Sequence, residues 1–137
     1  MTTANTRTET TKKAGLPDAV ARAVQAARDK KAIDLAVLDL RPLASFTDFF
    51  VICSGQNARQ VQAIADAVKE SLREEQQVRP AHVEGFERAE WVLLDYFDFV
   101  VHVFSAARRD FYALEKLWGS AEHVQLPDDA PRPRARE

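Results

Sequence analysis

The chain has 137 residues, 46% apolar and 29% charged, with a net charge of −2 and a pI near 5.9. That is one domain, long enough to bury a core, and its charge argues against nucleic acid as the main ligand, because proteins that grip phosphate carry a basic excess. A mildly acidic domain suits a basic protein partner.

The single cysteine, Cys53, excludes an internal disulfide and a cysteine-based metal site, and fits a reducing, cytoplasmic compartment. No apolar run approaches the length of a membrane span. Residues 1–15 are rich in Thr, Lys and Ala and lack the apolar core of a secretory signal. With Arg7 as their one arginine and Glu9 among them, they read as a disordered N-terminal tail. The folded domain is expected over 16–126, and the Pro- and charge-rich stretch 127–137 reads as a second tail, too poor in apolar residues to pack.

Leu16-Pro17-Asp18 opens the first expected helix, with proline at its first position and an acidic first turn. Val20, Ala23, Val24 and Ala27 recur at helical spacing, and Lys30-Lys31 supplies the charge a helix C-terminus prefers. Ile33 to Leu40 is a short strand ended by Pro42, which cannot donate to a ladder. After the polar turn Ser45–Asp48, Phe49 to Cys53 is a continuous apolar strand, expected to be buried on both faces. Asn57 is a good N-cap with Gln60 three residues on, as in a capping box. Val61, Ile64, Ala65, Val68 and Leu72 then form an apolar stripe, and the helix ends near Gln76. Ala81 to Glu84 is a short strand stopped by Gly85. Trp91 to Phe104 is a hairpin, and a last helix runs from Ser105 to Gly119, a natural residue just past a helix end. The order α-β-β-α-β-β-β-α predicts a small α/β domain: a mixed β-sheet, partly parallel, packed by helices.

With Phe97-Asp98 as a two-residue turn, Tyr96 opposes Phe99, Leu94 opposes Val101 and Val92 opposes Val103, giving one wholly apolar face for helix packing. The other face carries Trp91, Leu93, Asp95, Val100, His102 and Phe104. Mixed aromatic and polar character of this kind is common at interfaces. On the last helix, Ala107, Phe111, Leu114 and Trp118 share one stripe. Arg108, Tyr112 and Glu115 share another, with Lys116 beside it. Tyr112 on a polar face offers contact area with few rotors; a partly covered surface tyrosine is an equally good reading of the spacing.

Catalytic chemistry finds little support. Cys53 in an apolar strand is read as a packing residue, not a thiol nucleophile served by His102. His82, His102 and His123 lack the close ligand pair a zinc site uses, and His102 is placed to donate to Asp95. Asp95 and Asp98 would point apart across the turn. Ser54-Gly55-Gln56 has one glycine and no lysine, a poor phosphate loop. The expectation is therefore no catalytic residue, no metal and no cofactor.

Several stretches together resemble the ribosomal silencing factor (Iojap-like) family: Ser45–Gly55, Ala58–Val61 with Ile64-Ala65-Asp66, and Val83-Glu84-Gly85. So do Trp91–Tyr96 with Asp98, Val101–Phe104, and Phe111-Tyr112-x-Leu114-Glu115-x-Leu117-Trp118. The likeness covers roughly residues 17–124 and rests on the order and spacing of these pieces. It implies a nucleotidyltransferase-like fold without the catalytic residues. It also implies a repressor that binds a basic protein on the joining face of the large ribosomal subunit and keeps the small subunit from docking. Little direct nucleic-acid contact and a homodimer are further implications. The family's contact surface would map onto Trp91 and Tyr112 as aromatic anchors, with Glu115 and Lys116 beside them and Asp95, Phe97, His102 and Arg108 in support. Where the family has glycine before the turn aspartate, this chain has Phe97, a bulky residue ill suited to positive φ. That leaves the turn and register open. A divergent nucleotide-binding transferase and a generic dimeric adaptor are the alternative functions.

Overall fold

The computed structural model describes residues 16–43, 46–107, 122–124 and 126. Two helices, α1 (Asp18–Asp29) and α2 (Ala58–Gln76), pack on one face of a six-stranded sheet. The strands are β1 (Ile33–Asp39), β2 (Phe49–Gly55), β3 (His82–Glu84), β4 (Trp91–Asp95), β5 (Phe99–Ser105) and β6 (Glu122–His123), in the spatial order β3-β4-β5-β2-β1-β6. Among the described strands only β2 and β5, the central pair, run parallel; every other pairing there is antiparallel.

The expected elements that fall within the described residues are present with small shifts. Pro17 stands at the N-cap of α1, one place earlier than expected, and Asp18 supplies the acidic first turn. All seven residues of β2 are buried, as its unbroken apolar run requires. The cap of α2 forms with one shift from the expected box: Gln60 N donates to Asn57 Oδ1 at 2.9 Å, while Gln60 Oε1 accepts at 2.6 Å from Gln56 N, one residue before the N-cap. Gln60 also donates from Nε2 to the carbonyls of Lys30 and Lys31, tying the start of α2 to the end of α1. At its other end α2 stops at Gln77, which turns left-handed (φ 55°) and donates its N–H to Leu72 O.

One strand is absent from the sequence reading. Residues 122–123 pair antiparallel with β1, with Leu38 opposite His123 and Asp39 opposite Glu122, and Val124 N donates to Val37 O at 2.9 Å. Val124 and Leu126 are buried in the core behind it. Of the last helix expected from Ser105 to Gly119, Ala106 and Ala107 are helical, and residues 108–119 lie outside the described residues.

Alternation along the strands sorts their side chains into two clusters. Val37, Phe49, Val51, Cys53, Val92, Leu94, Tyr96, Phe99, Val101 and Val103 lie on the helix side with the buried stripes of α1 and α2. Leu38, Leu40, Phe50, Ile52, Val100 and Phe104 form a second cluster on the opposite face, joined by Trp91 and Leu93. At roughly 25 cal/mol per Å² of apolar area removed from water, each fully buried aliphatic side chain contributes about 1.5–3 kcal/mol.

Candidate partner-binding site

The hairpin has the register expected of it: Trp91 pairs with Phe104, Val92 with Val103, Leu93 with His102, Leu94 with Val101 and Asp95 with Val100. Its turn is unusual. Phe97 takes the left-handed region at φ 70°, and Asp98 N donates to Tyr96 O at 2.8 Å, which closes a three-residue γ-turn. Tyr96 N donates to Phe99 O at 2.9 Å, so the register survives the bulky residue. Asp95 supports the turn by accepting the Phe97 N–H on Oδ1 at 2.8 Å. Phe97 itself projects into solvent with 69% of its surface exposed. The phenylalanine therefore occupies the conformation that glycine takes at lower cost, and the expected incompatibility appears as local strain instead of a changed turn.

Trp91 begins β4 and is set there by backbone. Gly85 has φ +79°, and a Cβ on it would come within 2.1 Å of the Trp91 carbonyl oxygen. No other residue allows that approach. The β3–β4 connection is held down by Gln62 of α2, which donates to Phe86 O at 2.9 Å, and by Lys69, whose ammonium lies over the Phe86 ring, 5.4 Å from its centroid. Glu90 O accepts from Ser105 N at 3.0 Å, closing the base of the hairpin beside Trp91.

Around Trp91 stands an aromatic cluster drawn from three strands. Its indole stacks on Phe104 at 5.1 Å between ring centroids and donates from Nε1 to His102 Nδ1 at 3.0 Å. The imidazole lies edge-on to Phe50 at 4.5 Å and parallel to Phe104 at 6.3 Å. Phe46 extends the row, 6.1 Å from Phe50. Trp91 is half-buried, whereas His102 is only 3% exposed. Burial among these rings pushes the His102 pKa down to about 3, so the imidazole is neutral at ordinary pH.

Of the expected site residues, Trp91 and His102 are thus brought together. Asp95 shares their face but caps the turn, and Phe97 sits at the far end of β4. His102 does not donate to Asp95: its Nδ1 accepts from Trp91, and its Nε2 is buried with no hydrogen-bond partner among the described residues. Arg108, Tyr112, Glu115 and Lys116 lie outside the described residues. Phe50, which frames the imidazole, was missed. Its only signal was its place in the alternation of β2, and that matters only once β2 and β5 are known to be parallel neighbours.

The topology also separates the groups that could have suggested catalysis. Cys53 points to the helix side and His102 to the opposite face. His82 and His123 lie on the two outermost strands, five strand spacings or roughly 24 Å apart. Among the described residues no three His, Cys, Asp or Glu side chains cluster closely enough to share a metal ion. No described helix is long and apolar enough to cross a membrane.

The fold and this cluster define a small mixed α/β domain with a half-buried tryptophan held on the face opposite its two helices. Residues 13–137 match the family model described as "Ribosomal silencing factor during starvation". The chain is 46% identical over 104 residues to the ribosomal silencing factor RsfS of Halalkalibacterium halodurans, covering 76% of this chain and 88% of that one. It is 44% identical over 104 residues to RsfS of Bacillus subtilis, with 76% and 87% covered. A crystal structure of a Chromobacterium violaceum protein superposes with a TM-score of 0.72 at 36% identity, covering 85% of this chain and 96% of that one. The protein belongs to the ribosomal silencing factor family.

Proposed function

We propose that this chain is a non-enzymatic repressor of translation that works in the cytoplasm by occlusion. It binds a basic protein on the joining face of the large ribosomal subunit and blocks the approach of the small subunit. Trp91 is the anchor of the contact, with Tyr112 as a second anchor. Glu115 meets a basic side chain of the partner, and Lys116, Arg108 and Phe97 lie at the margin. Family membership supports the ribosomal part of the reading. The observation that carries the site is the Trp91 indole, half-buried, stacked on Phe104 and fixed by a hydrogen bond. A large ring held in place loses little entropy on binding, which is the property of an interface hot spot. The net charge of −2 suits a basic partner.

Co-sedimentation with purified large subunits tests this, with Trp91→Ala and Tyr112→Ala beside wild type and circular dichroism to confirm folding. Wild type should pellet and the folded variants should not, since truncating a hot spot costs on the order of 2 kcal/mol or more. Pelleting of all three would remove the assigned anchors. A wild-type protein that stays in the supernatant at micromolar concentration would sink the repressor reading. Magnesium-dependent nucleotide binding by calorimetry would favour a transferase instead.

A further inference from the structure

Position 102 is an expensive place for a histidine. Its neighbours in β5 and across the face are Val100, Phe104, Phe50 and Ile52, all buried and apolar. An indole N–H can only donate, so the Nδ1 that receives it carries no proton. The neutral imidazole must then hold its proton on Nε2, which is buried with no acceptor among the described residues. Burying an N–H without a partner is unfavourable, and a leucine or valine here would avoid that cost. Such unsatisfied groups call for a reason other than stability. The reason on view is Trp91, whose Nε1 lies 3.0 Å from the other ring nitrogen.

We propose that His102 is the positioning residue of the partner site: Nδ1 holds the Trp91 indole N–H and fixes the ring in the rotamer that the partner meets. This rests on Trp91 being the anchor. The imidazole is itself clamped, edge-on to Phe50 and parallel to Phe104, so its nitrogen cannot swing away. Phe104 supports the indole from below by stacking and His102 sets its direction by the hydrogen bond. Stacking alone leaves a ring free to slide and rotate in its plane, whereas one directed bond removes that freedom. An indole ordered in advance loses less entropy when the partner docks.

The test uses the full chain, 15N-labelled, with the indole N–H resonance of Trp91 told apart from that of Trp118 by a Trp118→Phe variant. In wild type the Trp91 indole proton should exchange slowly with solvent. His102→Leu keeps the volume and removes the acceptor. It should fold with equal or greater thermal stability, speed indole exchange at least tenfold, and weaken binding to purified large subunits by about tenfold. His102→Asn places an oxygen near the site of Nδ1 and should recover much of both effects. A stable His102→Leu protein that binds as tightly as wild type would overturn the proposal. So would a wild-type Trp91 indole that exchanges as fast as free tryptophan, a reading that needs no variant to fold. If Trp91→Ala also binds normally, Trp91 is no anchor and the partner-site reading falls with it. The exchange data still report separately whether His102 holds the ring.

Discussion

The two faces of the sheet are made by alternate residues of the same strands, yet they are built to different ends. Toward the helices, β2, β4 and β5 present Phe49, Val51, Cys53, Val92, Leu94, Val101 and Val103, close-packed against Val61, Ile64, Val68 and Leu72 of α2. Away from them, the same strands present Phe50, Ile52, Trp91, Leu93, His102 and Phe104, with one directed hydrogen bond and one unsatisfied N–H among the rings. The first face gains from every atom it buries. The second gives up some of that gain to hold one indole in a set orientation. Core packing and site building are thus separated by the two-residue period of a strand, and each can change with little effect on the other.

The largest test of that separation is Leu72→Ala. Leu72 is fully buried on the helix side, so the variant should lose about 2–5 kcal/mol in denaturant unfolding. Its folded fraction should still bind large subunits normally. A loss of binding out of proportion to the loss of folded protein would show that the faces are coupled.

The acid limb of stability tests the second face. His102 has its folded pKa lowered from 6.5 to about 3 by burial. Below pH 6.5 the unfolded chain takes up a proton that the folded chain refuses, so stability present above that pH is lost as pH falls toward 3. Between pH 7.5 and 5 this amounts to about 2 kcal/mol, from 1.36 kcal/mol per pKa unit. Urea unfolding across that range should show the slope in wild type and a shallower one in His102→Leu. Equal slopes would mean that the imidazole is not the group responsible.

Smaller effects are expected at the hairpin tip and beside it. Phe97→Gly relieves a left-handed residue but frees the unfolded chain, and the two terms of about 1 kcal/mol nearly offset. A net stability change within about 1 kcal/mol of zero is expected; reduced subunit binding would place Phe97 at the margin of the contact, and unchanged binding would remove it. Tyr96 stacks on Phe99 at 4.8 Å, and its buried hydroxyl has no partner among the described residues, with burial pushing the phenol up to about 12. Tyr96→Phe should therefore cost less than about 1 kcal/mol by thermal unfolding, and a larger loss would reveal a partner for the hydroxyl.

Local pattern by itself determined α2 from Asn57 to Gln76, because a capping pair and a five-residue apolar stripe are written within one helix. For the hairpin, the period of two with an assumed two-residue turn matches the observed register and the face that meets the helices, but Phe97 left the turn and register open until the structure fixed them. Local pattern set Trp91 apart from the packing face, while its role as an anchor came from the family resemblance. Tertiary structure alone decided the rest. The two-residue strand β6 has too little sequence to signal itself and exists because β1 offers an open edge. The left-handed Phe97 is held by bonds from Asp95 and across the turn that outweigh its own preference. His102 found Trp91, not Asp95, because the pairing of β4 with β5 and the rings around them bring the indole N–H onto Nδ1. Periodicity says which face a side chain occupies; which partner it finds there depends on strands that are distant in sequence.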